Sequence, residues 1–286
     1  MATNVEKDPV TGQYTTGHEW DGIKELNTPL PKWWVYVFYA CTLWAIYEWV
    51  VMPAWPTADG YTKGIEGYST RGELAKELAA VKDSRKGWIT RFEAASVEQI
   101  AADPELRKYA IAGGRAMFAE NCAPCHGSGG AGAYGYPTLA DDEWIWGGSL
   151  ADVHQTIAYG VRNTNPQSRQ GIMLRFGVDG ILTPDQIGTV ADYVVALSKG
   201  EKGAAAGTEL FAQQCAACHG EKGEGMAALG APALNNGIWL YKGGKDDLVK
   251  QIANPKHGDM PAWSERLDAA TVKQLAVYVH SLGGGK

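Results

Sequence analysis

From Trp33 to Met52 the chain reads WWVYVFYACTLWAIYEWVVM, twenty residues carrying a single charge at Glu48. A helix rises about 1.5 Å per residue, so this run covers the roughly 30 Å of a bilayer's hydrocarbon. Trp33 and Trp34 stand at one end and Trp49 and Trp55 at the other, the placement of interfacial aromatic belts. The pattern predicts one transmembrane anchor over residues 33–55. A cleaved signal peptide fits poorly, because mostly polar sequence precedes the run and no small-residue cleavage site follows it. Glu48 lies within a turn of the helix end, where a carboxylate reaches interfacial water, and Cys41 reads as a small apolar residue.

Past the anchor the pattern is irregular (MPAWPTADGYTKGIEGYSTRG) and then polar-helical (ELAKELAAVKD). With no cysteine or histidine in it, the segment reads as a connecting arm over residues 56–106. Helical periodicity then returns twice. Asp103 before Pro104 is an N-cap followed by proline in the first helical turn, opening a helix that runs toward Cys122. Thr183, Pro184 and Gln186 form a capping-box start for a helix whose Ile187, Val190, Ala191 and Val194 make an apolar stripe. Val272, Leu275, Ala276, Val279 and Leu282 make the corresponding stripe near the C-terminus.

These recurrences are one internal repeat. Gly114, Phe118, Cys122, Cys125 and His126 return as Gly207, Phe211, Cys215, Cys218 and His219 with identical spacing. Pro137 and Leu139 answer to Pro232 and Leu234, Trp144 to Trp239, Met173 to Met260, and Tyr193 to Tyr278. Two homologous domains are expected, 107–199 and 200–286. The missing side chains of Gly114 and Gly207 would let the opening helix of each approach its closing helix. The fold class is mainly α, one N-terminal transmembrane helix followed by two small helical domains.

Composition narrows the function. A formal charge of −6 gives no broad electrostatic hold on nucleic acid. Thirty-six glycines, 13 prolines and 11 tryptophans suit loop-rich domains that wrap a flat apolar cofactor. Of the five cysteines, four stand in CAPCH and CAACH, the Cys-x-x-Cys-His pattern of c-type haem attachment, in which both thiols add to the haem vinyls and the histidine ligates iron. Zinc would need a fourth ligand that neither cluster has nearby, and a thioredoxin-like pair has no need of the histidine. Two covalently bound haem c groups are expected, held by Cys122, Cys125, Cys215 and Cys218, with His126 and His219 on iron.

A sixth ligand is sought in each repeat, and Met173 and Met260 stand in equivalent places. Thioether sulfur favours ferrous iron and raises the potential, which suits electron transfer, and an iron closed on both sides leaves no place for oxygen. His154 and His257 compete for the axial role, the latter three residues before Met260. Met117 and Met226 fit core or loop, and His18 and His280 the surface. Trp144, Trp146, Trp239 and Tyr241 fit either haem packing or plain core, and the run Arg162 to Arg169 either a haem propionate, a partner or a solvated loop.

With these motifs in place, each repeat resembles a class I cytochrome c domain. The segment TGHEWDGIKELNTPLPKWW, followed by one span and two such domains, resembles the di-haem cytochrome c subunit of cbb3-type cytochrome c oxidases over essentially the whole chain. The resemblance implies that the carbonyls of Pro137 and Pro232 orient the ligating histidines. It implies a bacterial inner-membrane protein with residues 1–32 cytoplasmic and the arm and haem domains periplasmic. Electrons would come from a cytochrome c or the bc1 complex and pass to the mono-haem subunit and the catalytic haem-copper subunit, with no oxygen chemistry on this chain. In that family a proline usually follows the methionine; Pro261 follows Met260, whereas Leu174 follows Met173. The other readings are a free membrane-anchored di-haem shuttle, a cytochrome subunit of a membrane dehydrogenase, and a gas-binding haem sensor; two closing methionines and the lack of a signalling domain count against the last.

Overall fold

In the computed structural model, which describes residues 4–283, the chain separates into two units at Arg85 and Lys86. The first begins with an antiparallel hairpin, β1 (Thr15–Trp20) and β2 (Ile23–Leu26). Its turn is Asp21–Gly22 with both residues at positive φ, 50° and 85°, the pair that a tight primed turn requires. The apolar helix α1 (Lys32–Val51) follows. Among the described residues it is the one helix long and apolar enough to cross a membrane, and none of it is buried by protein. The chain then turns back on the helix end, where Ile65 N–H donates to the Val50 carbonyl and Glu66 N–H to that of Val51, occupying acceptors that a helix terminus leaves open. A second small hairpin, β3 (Pro56–Thr57) with β4 (Gly60–Tyr61), and the polar helix α2 (Thr70–Ser84) complete the unit.

The second unit is built of α3 (Lys86–Ala94), α4 (Val97–Ala102), α5 (Pro104–Asn121), α6 (Ala123–His126), α7 (Leu150–Tyr159), α8 (Pro184–Ser198), α9 (Ala205–Gln214), α10 (Ala216–His219), α11 (Lys245–Ala253) and α12 (Ala269–His280). The caps sit where side-chain chemistry puts them. Asp103 accepts from Glu105 and Leu106 N–H at the start of α5, and Thr183 with Gln186 closes a capping box at the start of α8. The expected arm ends early. Phe92, Ile100, Leu106, Ala110 and Val277 form a cluster of their own, so α3 and α4 are packed helices, because their few large apolar side chains share one face.

The packing does not follow the order of the repeats. One core joins Phe118 of α5 and Val153 and Ile157 of α7 to Val272, Leu275, Ala276, Tyr278 and Val279 of α12. The other joins Ile187, Val190, Ala191 and Val194 of α8 to Phe211 of α9 and Leu248 and Ile252 of α11. The first core is thus discontinuous, and the second is a contiguous stretch of chain in permuted order, inserted into it. The expected boundary at 199/200 therefore falls inside the second core. The cause lies in the short α8–α9 connection, which makes these sequential helices neighbours. Gly114 and Gly207 do permit close approach, but to exchanged partners. A Cβ at Gly114 would lie 2.6 Å from Cβ of Tyr278 on α12, and one at Gly207 2.7 Å from Cβ of Tyr193 on α8. Phe118 packs on Tyr278 at 5.4 Å between ring centroids, and Phe211 on Tyr193 at 5.1 Å.

Candidate haem sites

Each attachment motif forms one short helical turn. Cys122 and Cys215 end α5 and α9, and the following turns α6 and α10 bring the histidines round: His126 N–H donates to the Cys122 carbonyl and His219 N–H to that of Cys215, each at 2.9 Å. Gly127 and Gly220, at φ 75° and 80°, stop the turns in a region that L side chains seldom enter. The loops then match bond for bond. Gly132 N–H caps the His126 carbonyl at 2.7 Å, and Gly225 N–H caps that of His219 at 2.8 Å.

Both histidines meet proline carbonyls. His126 Nδ1 donates to Pro137 at 3.0 Å and His219 Nδ1 to Pro232 at 2.9 Å. A carbonyl only accepts, so each ring carries its proton on Nδ1 and leaves Nε2 with a lone pair, the state a metal requires. Burial pushes both histidines below the ordinary imidazole range, with the proline carbonyls opposing it, and this also favours the neutral ring. Cys122 and Cys215 are half-buried, and burial, then the second cysteine of each motif, pushes their thiols up to about 11. Each site thus presents two thiols and an imidazole lone pair.

The methionines are divided between the cores, in the exchanged sense. Met260 packs with Cys122, Ala123, Leu139 and Trp144 around the first core. Met173 packs with Cys215, Ala216, Leu234 and Trp239 around the second. Each methionine thus packs against the core that holds the motif of the other repeat, where the repeat order had suggested its own. The chain passes from the first core to the second just after α7, and there Val161 and Met260 exchange backbone bonds at 3.0 and 2.9 Å. Asn163 Nδ2 fixes the Met260 carbonyl at 2.7 Å. On the other methionine, the backbone N–H of Met173 donates to His257 Nε2 at 3.0 Å. His257 thus has its Nε2 occupied by a backbone group. His154 lies on α7 within the influence of the Lys273 and Glu98 charges.

One further observation tests whether a haem fits. Trp144 Nε1 is buried with no hydrogen-bond partner, the one such side-chain atom among the described residues. A buried, unpaired N–H is costly, and here it lies beside the first motif, where a polar edge of a bound group would satisfy it. Trp144, for which haem packing and core were both open, packs against the first core. Trp146 lies elsewhere, under Arg169 at 5.7 Å, and Arg169 is paired with Asp152 at 3.1 Å, so this part of the basic run is folded against α7 and not a solvated loop.

Two Cys-x-x-Cys-His attachment turns, each with a histidine oriented by a proline carbonyl, define a membrane-anchorable c-type cytochrome with two haem c groups. Comparison with known proteins makes this specific. Residues 12–59 match the N-terminal domain of cytochrome oxidase-cbb3, FixP; residues 111–198 match cytochrome c; residues 202–279 match cytochrome c oxidase, cbb3-type, subunit III. The cbb3-type cytochrome c oxidase subunit CcoP of Azospirillum brasilense is 52% identical, with 98% of this chain and 99% of the relative aligned. The corresponding FixP subunits of Bradyrhizobium sp. (strain ORS 278) and Bradyrhizobium diazoefficiens are 51% and 50% identical with both chains fully covered. The chain belongs to the CcoP/FixP family of cbb3-type cytochrome c oxidase subunits, and it is an electron-transfer subunit of such an oxidase.

Proposed function

We propose that this chain takes electrons from a cytochrome c or bc1 donor on the periplasmic side of a bacterial inner membrane. It hands them on, through its two haems, toward the mono-haem and haem-copper subunits. The observation that supports the reading is an imidazole oriented by a proline carbonyl at each attachment turn, with one of the two repeat methionines packed against the core that holds it. Cys122 and Cys125 would hold the first haem, with His126 and Met260 as its iron-binding residues, and Cys215 and Cys218 the second, with His219 and Met173; the packing of each methionine against the core that holds that motif supports the assignment. The haem iron supplies a one-electron ferric–ferrous couple. The chain's own residues do the rest. Proline carbonyls fix the imidazoles, a thioether ligand would favour the reduced state, and with protein ligands on both sides of the iron oxygen would find no site.

Residues 1–32 lie in the cytoplasm, α1 crosses the membrane once, and the part from residue 56 onward is periplasmic, since c-type haem is attached on that side. The two cores touch: Gly135 N–H donates to the Leu240 carbonyl at 2.9 Å, and Tyr134 packs edge-on to Tyr241. That contact supports passage of electrons from one core to the other within a single chain. The test is oxygen uptake by the purified oxidase complex with reduced cytochrome c as donor, in a Cys215→Ala/Cys218→Ala variant that lacks one haem. Uptake should fall to a small fraction of the wild-type rate while the complex stays intact. A full rate would place the second haem outside the electron path.

A further inference from the structure

Arg162 has no part in haem attachment, yet it stands where the chain crosses between the cores. Its backbone lies in the left-handed region, φ 49°, which a residue with a long side chain holds only where its surroundings over-determine it. Those surroundings are the two methionine loops. Arg162 Nε donates to the carbonyl of Gly258 at 2.8 Å, and its terminal nitrogen Nη1 donates to the carbonyl of Gly171 at 2.9 Å. Gly258 stands two residues before Met260, and Gly171 two residues before Met173. One guanidinium therefore grips both loops at the same offset from the thioether. The main chain adds to the grip: Arg162 N–H donates to the Arg169 carbonyl at 2.7 Å, beside the Val161–Met260 pair. Trp146 covers the guanidinium, 6.0 Å from its ring centroid. A Cβ at Gly171 would collide with the Leu229 carbonyl oxygen and lie 2.8 Å from the same ring, so this packing leaves room for no side chain at residue 171.

We propose that Arg162 is a positioning residue that holds the Met173 and Met260 loops together, so that the ligand geometry of the two haems is set jointly. This rests on the reading that those methionines are the axial ligands. The planar guanidinium carries donors aimed in different directions at fixed angles. An ammonium at the same place has the charge but not the fork, so charge alone does not perform the task.

The test uses the full-length, haem-loaded chain in detergent, reading the methionine-to-ferric-iron charge-transfer band, the two midpoint potentials and carbon monoxide uptake. Arg162→Gln and Arg162→Lys are each expected to weaken the band at both haems, lower both potentials and admit carbon monoxide to both. Arg107→Gln, an exposed arginine on α5, serves as the reference and changes none of these. If Arg162→Gln fails to accumulate, Arg162→Lys carries the test. A change at one haem alone, no change at either, or full restoration of both by lysine would overturn the proposal. Met173→Ala and Met260→Ala separate it from the reading beneath it. If each methionine variant abolishes one band while the arginine variants leave both, joint positioning fails and the ligand reading stands. If neither methionine variant alters a band, the ligand reading itself fails.

Discussion

The attachment motifs around His126 and His219 were legible because the chemistry is local: cysteines, histidine and the turn that joins them lie within five consecutive residues. Met173 and Met260 were singled out in the same way, from their repeat positions. Which core each packs against was not legible, since that depends on where distant loops fold. Trp144 and Trp146 show the same limit, because two tryptophans one residue apart take different environments and only one has an orphaned N–H. Trp144→Phe keeps the ring in place and removes that donor. It should lower the potential of the haem at Cys122 and Cys125 in a redox titration, as negative charge at the haem edge loses a hydrogen bond; an unchanged potential would mean the N–H has no charged partner. His154 gives a pH signature. Burial, then Lys273, holds it below its ordinary value of 6.5, with Glu98 opposing. A depressed base takes up protons more readily when unfolded, so its contribution to stability is full above the ordinary value and is lost as pH falls below it. His154→Gln should therefore lose less thermal stability than the wild type between about pH 7.5 and pH 5.5, in the range of ordinary imidazole titration. Equal losses in melting scans would remove His154 from that account.

At the scale of elements, helix starts were readable because a cap is a short-range bond. Asp103, Thr183 and Gln186 act as their side chains dictate, and the stripes of α8 and α12 are buried. The N-terminal hairpin went unread although Asp21–Gly22 is a strong turn pair, because its strands are short and mostly exposed. The helices α3 and α4 were hidden in a polar stretch, where three or four large apolar residues packed on a neighbour outweigh the overall composition. The glycine contacts separate the exchanged packing from the sequential one. Gly114→Ala presses on α12, and Gly207→Ala on α8. Overpacking of this kind typically costs about 1–3 kcal/mol. Gly114→Ala should accordingly disturb the spectrum of the first haem, and Gly207→Ala that of the second, together with a lower denaturation midpoint in each case. No loss of stability in either variant would contradict the close approach.

For the whole molecule, sequence repeats and packing units do not coincide. The repeat was detectable because equivalent residues keep their order along the chain, whereas α12 returning to α5 is a contact across more than half the sequence, which no local pattern encodes. The first core closes only when the C-terminal helix arrives. A chain ended after residue 199 should therefore attach haem at Cys122 and Cys125 yet lack a closed iron and a cooperative melting transition. Independent tandem domains would instead leave a closed first haem that melts in a single cooperative transition.

The exchange of ligand loops is the centre of this account, and carbon monoxide uptake by single-haem chains addresses it most directly. With Cys215→Ala/Cys218→Ala only the haem at Cys122 and Cys125 remains. In that background, Met260→Ala should open the reduced iron to carbon monoxide and Met173→Ala should leave it closed, since of these two it is Met260 that packs against the core holding Cys122. The reverse result, an iron opened by Met173→Ala and untouched by Met260→Ala, would contradict the exchange and return each methionine to the motif of its own repeat.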